Sequence, residues 1–151
     1  MRRVLAWAVP GAVTMLLLAG CGGGSAGSAG SGGGSASAQA AIKANWTTFF
    51  NGHTPAATKV TLLQNGSNFA AFINAQANSN TAREASAKVD SVTMAGATQA
   101  DVTYDLLLNG QVGLSGQKGT AVLQGGTWKV SDATFCALAA LQNNGKPPTG
   151  C

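Results

Sequence analysis

Few side chains in this sequence can do chemistry, and they are widely spaced. There are three thiols, at Cys21, Cys136 and Cys151, one histidine, His53, and one tyrosine, Tyr104. Asp101 and Asp105 lie four apart in a stretch with strand-like alternation, which puts both on one face. Paired carboxylates can act as acid and base when burial separates their pKa values. Val102, Tyr104, Leu106 and Leu108 occupy the other face, so both carboxylates are expected on the solvent side. Ser115 follows Gly113-Leu114, but Gln117 stands where a nucleophile elbow needs its second glycine. No nucleophile, base and orienter are spaced as a recognisable triad. Cys136 and Cys151 have only Asp132 nearby and no adjacent histidine, too few ligands for zinc, and no metal or other cofactor is expected.

Cys21 is different. It ends Leu18-Ala19-Gly20-Cys21, directly after a basic Met1-Arg2-Arg3 and an apolar run from Val4 to Ala19 that is broken by Pro10-Gly11 and Thr14. The run is shorter and more interrupted than a bilayer span requires, and reads as a secretory signal over residues 1–20. A retained transmembrane helix is the alternative. Small residues at 19 and 20 allow an extended backbone in a peptidase groove, and a thiol follows to accept diacylglycerol as a thioether. This resembles a bacterial lipobox and implies acylation at Cys21, with the membrane as partner through the anchor; an ordinary cleaved signal with a chance cysteine is the alternative. Two or more acyl chains give stable anchoring, whereas one gives marginal binding. Localisation follows as the extracytoplasmic face of the cell membrane.

Residues 22–38 are only Gly, Ser and Ala. With little to bury, such a segment is expected to be a flexible tether, so residues 21–38 form anchor and linker and 39–151 the folded domain. Only 14 of 151 residues are charged, and removal of Arg2 and Arg3 takes the net charge from +4 to +2. The remaining bases, Lys59 among them, are scattered singly. Nucleic-acid binding needs clustered cations and is not expected. A mature thiol pair in an oxidising compartment favours a Cys136–Cys151 disulfide, with a buried Cys136 and a free Cys151 as the alternative.

The elements that must position these residues follow from periodicity. Ile42, Trp46, Phe49 and Phe50 share one helical face. Asn51-Gly52 is expected to end that helix with glycine in the left-handed cap. Thr54-Pro55 opens a second helix carrying Ala56, Val60 and Leu63, closed by Asn65-Gly66, and Ser67 caps a third with Phe69, Phe72 and Ile73. Strands are expected over Ala87–Met94, around Val102–Leu108, over Thr120–Leu123 and over Trp128–Val130. Hairpin turns fall at Asn109-Gly110 and Gly125-Gly126, and a bulge or bend at Gly113–Gly116. Ser131 or Asp132 caps a last helix, Ala133–Leu141. The class is α+β, with N-terminal helices packed on a curved antiparallel sheet.

That layout is similar to the nuclear-transport-factor-2-like (cystatin-like) cone. The phrases Trp46-Thr47-Thr48-Phe49-Phe50-Asn51-Gly52, Lys59-Val60-Thr61-Leu62-Leu63-Gln64-Asn65-Gly66 and Thr127-Trp128-Lys129-Val130-Ser131 through Phe135-Cys136 resemble the actinobacterial low-molecular-weight antigen family (the Mtb twelve-kilodalton antigen and its lipoprotein relatives). The resemblance covers about residues 38–142. It implies an exported, envelope-associated protein and offers no catalytic residues. A binding role is therefore expected, for a small apolar ligand or an envelope protein, with Trp46, Phe50, Phe72, Tyr104 and Trp128 as candidate pocket lining. The competing reading for those aromatics is plain core. The alternative function is a cone-fold isomerase or dehydratase using Tyr104 and the adjacent Asp105.

Overall fold

The computed structural model describes residues 32–151; the export segment and Cys21 lie outside the described residues. Five α-helices and four strands follow in order: α1 (Gly32–Phe50), α2 (Ala56–Leu62), a 3-10 turn (Gly66–Phe69), α3 (Ala70–Gln76), α4 (Asn80–Arg83), β1 (Ala85–Met94), β2 (Gln99–Leu108), β3 (Gln111–Gln124), β4 (Thr127–Val130) and α5 (Asp132–Gln142). The strands form one antiparallel sheet in the order β1-β2-β3-β4. The fold is the expected α+β class, helices against a strongly curled sheet.

The sheet curls at its bulges. Val89 pairs with Tyr104 and Ser91 with Thr103, so Asp90 is the extra residue on β1. On β3, Gln117 pairs with Tyr104 and Leu114 with Leu106, which leaves one surplus residue at the expected bend. There Gly116 takes φ +62°, and its N–H donates to Asp105 Oδ1 at 2.8 Å. Each surplus residue raises the local twist. The hairpin at Asn109-Gly110 has φ of 52° and 75°, the double positive φ that its dipeptide favours.

Helix α1 lies in the concavity and buries Ile42, Trp46 and Phe49. Trp46 crosses β3 at Gly119, where a Cβ would stand 2.8 Å from the indole Cζ2 and 2.8 Å from Thr134 Cγ2. Asn45 Nδ2 donates to the Trp128 carbonyl at 2.8 Å and ties α1 to β4. Ser131 caps α5, as expected, by accepting from Thr134 N–H at 3.1 Å. The Thr134 hydroxyl accepts from Thr120 N–H at 2.9 Å, so one buried Ser/Thr pair starts the helix and fastens it to β3.

Four local expectations need correction. The helix α1 starts at Gly32, inside the stretch read as tether, and Ala38 already packs against the core, from which helix propagates backward. Gly52 has no positive φ. Glycine is needed there because a Cβ would collide with the backbone carbonyls of Ala82 and Arg83. Ser67 does not cap the third helix; Asn65, at φ +50°, turns the chain into a 3-10 segment instead. Pro55, with no side-chain cap, is the N-cap of α2 in place of Thr54. The short helix α4, capped by Ser79 accepting from Ala82 N–H, was not expected at all.

Candidate functional site

One end of the cone is open. Phe50, the last residue of α1, forms its back wall, stacked on the buried Tyr104 ring with centroids 5.4 Å apart. The α3–α4 segment contributes Gln76 and Ala82, β1 contributes Ala85, and α5 contributes Leu138 and Gln142. Residues Leu106–Leu108 and Leu114 of the β2–β3 hairpin close the far side. The open groove has a volume of about 700 Å³, within the usual range of small-molecule sites. A smaller cavity of about 130 Å³ adjoins it, shares Phe50, Gln76, Ala82, Ala85, Leu138 and Gln142, and extends to Phe49, Phe72 and Lys59.

The groove exists because its lining residues at 77, 82, 85 and 113 are alanine and glycine, so facing elements meet without filling the gap. Its rim is apolar and exposed: Leu108 and Leu114 are each 43 % accessible and Leu141 is 65 % accessible. Isolated surface leucines are ordinary, but a group of them at a cavity mouth marks a contact site.

The lining carries a single titratable side chain, Lys59 on α2, and no carboxylate. Lys59 is half-buried and has no ion pair or hydrogen bond through its ammonium among the described residues. Burial lowers its pKa below the ordinary lysine value, because desolvation penalises the charged form.

Of the five aromatics expected to line a pocket, Phe50 and Phe72 do so. Trp46, Tyr104 and Trp128 do not. They are buried in the core, since α1 fills the concavity and packs them between helix and sheet. The Trp46 and Tyr104 rings meet edge to face, 5.2 Å apart. Among the described residues the Tyr104 hydroxyl and the Trp46 indole N–H have no hydrogen-bond partner, and burial pushes the Tyr104 pKa up to about 12. Asp105 points to the opposite face, where it holds Gly116 and lies 3.9 Å from Lys88 Nζ, while Asp101 is exposed. The structure therefore does not bring Tyr104 and Asp105 together. His53 is exposed in the α1–α2 turn, and no cluster of three metal-ligating side chains occurs among the described residues. Cys136 and Cys151 are joined by a disulfide. No helix among the described residues is long and apolar enough to cross a membrane.

Neither the curated proteins nor the solved structures compared include a match to this chain. A family model described as "Low molecular weight antigen MTB12, C-terminal domain" matches residues 35–146, which runs from within α1 to beyond α5 and includes the whole groove. The match begins at Ser35, inside the helical part of the Gly/Ser/Ala stretch, and so agrees with the earlier start of the domain. The chain belongs to the low molecular weight antigen MTB12 C-terminal domain family, an antigen family in keeping with an exported protein.

Proposed function

We propose that this protein is an exported, lipid-anchored module of the cell envelope that binds a small apolar ligand in the groove between α4, α5 and the β2–β3 hairpin. The observation that carries the reading is the open cavity of about 700 Å³ with an exposed leucine rim. Binding sites of this kind are concave, mostly apolar and supplied with a few polar groups. Gln76, Ser79, Thr81 and Gln142 are such groups. Catalysis is not part of the proposal, because Lys59 is the one titratable side chain in the lining, and no carboxylate lines the groove beside it. The concave shape of the groove favours a small ligand over an envelope protein, which would need a broad face more than a cleft. Anchoring rests on the Leu18–Cys21 pattern.

Native mass spectrometry of the mature protein, purified from its own host, tests both parts. The reading expects a first residue Cys21 carrying acyl chains and a non-covalent apolar adduct that leaves on collisional activation. An unmodified Cys21 overturns the anchor, and a protein that is ligand-free and takes up no added apolar compound overturns the binding role.

A further inference from the structure

We propose that the groove takes a single-chain amphiphile with a carboxylate head, the head pairing with Lys59 and the alkyl chain passing Phe50 toward the leucine rim; this rests on the groove being a ligand site. The two cavities are polarised. Lys59 lines only the smaller one, and Leu106, Leu108, Leu114 and Leu141 line only the larger one, with Phe50 common to both.

An ammonium held half out of water without a partner is a cost that folding leaves in place. A carboxylate arriving with the ligand removes it through a charge-assisted hydrogen bond. No acidic side chain lines either cavity, so an anionic head meets no repulsion there, and a cationic head meets Lys59 alone. One cation balances one charge, which suits a carboxylate better than a phosphate monoester bearing about −1.5 to −2 at neutral pH. The smaller cavity, about 130 Å³, is large enough for a carboxylate head group.

Isothermal titration of the full chain with dodecanoate, dodecanol and dodecyltrimethylammonium tests this. Dodecanoate is expected to bind one per chain, about tenfold or more tighter than dodecanol, with the ammonium weakest. Lengthening decanoate to dodecanoate buries two more methylenes and should tighten binding by about fifteenfold. In Lys59→Met the preference for dodecanoate over dodecanol disappears while dodecanol binding stays, and Lys59→Arg restores the preference. Lys59→Gln repeats the comparison should the methionine variant not fold. Equal affinity for acid and alcohol in the native chain, or a preference that survives loss of Lys59, overturns the head-group assignment and leaves the apolar site standing. Tighter binding of dodecyl phosphate than of dodecanoate overturns the carboxylate. Failure of all three probes overturns the apolar site itself.

Discussion

Reduction of the Cys136–Cys151 disulfide should loosen a defined part of the molecule by a predictable amount. The bond closes a loop with a sequence separation of 15 and ties the Gly/Pro-rich tail to α5. The tail also meets the 3-10 turn, because Gly150 sits against the Phe69 ring. Cross-linking a loop of that length restricts the unfolded chain by about 3 kcal/mol in the chain-entropy model. With roughly 2.1 cal/mol/K of unfolding entropy per residue over about 120 ordered residues, 1 kcal/mol is worth about 4 °C. The thermal midpoint should then fall by about 12 °C when the bond is reduced, and by a similar amount in a Cys136→Ala/Cys151→Ala variant. Circular dichroism melts with and without reductant measure both. The alanine pair should be indifferent to reductant. A fall of less than about 3 °C on reduction, or a reductant-sensitive midpoint in the alanine pair, would refute the assignment of that stability to the bond.

Three further outcomes follow from the packing. The only tyrosine, Tyr104, should remain un-ionised in the folded chain until pH nears 12, and titrate near 10 once unfolded, read from absorbance at 295 nm. The sign follows from the raised folded pKa: stability is at its full value below pH 10 and declines as pH rises from there through about 12, by on the order of 2 kcal/mol in denaturant titrations. Gly119→Ala should destabilise by about 1–3 kcal/mol, since the added methyl must displace Trp46 or Thr134; a neutral result in urea unfolding would show that the contact yields freely. Ala82→Trp, placed in the groove wall, should abolish uptake of an apolar dye while changing the thermal midpoint by no more than a few degrees; undiminished dye binding would place the site elsewhere.

Much of the fold could be read locally. The Ile42–Trp46–Phe49 stripe, the period of two over Val102 and Tyr104, the Asn109-Gly110 and Gly125-Gly126 turns, and the Ser131 cap are short-range signals, and each sits where its chemistry put it; the alternation fails only at Leu106–Leu108, where register shifts leave Leu108 exposed. The departures come from long-range contacts. Helix α1 extends back to Gly32 through a composition that alone favours no order, and Gly52 is required by the Ala82 and Arg83 backbone thirty residues on. The groove was the least legible part. It is a lack of side-chain volume among Ala82, Gly113 and Leu138, which lie on separate elements, so no local period records it. The aromatic residues pointed instead to the core, where Trp46, Tyr104 and Trp128 are needed to fill the cone. The available hint was the run of alanines between Ala70 and Ala87, too small to fill the space beneath a curled sheet. Lys59 looked like one more solitary surface base until α2 placed it against the smaller cavity.

Isotope-filtered NMR of the labelled chain with an unlabelled medium-chain apolar ligand gives the most direct test of the groove. The account predicts intermolecular NOEs from the alkyl chain to the Phe50 ring and to the methyl groups of Leu106, Leu114 and Leu138. NOEs confined to any other surface, with those four residues silent, would contradict it.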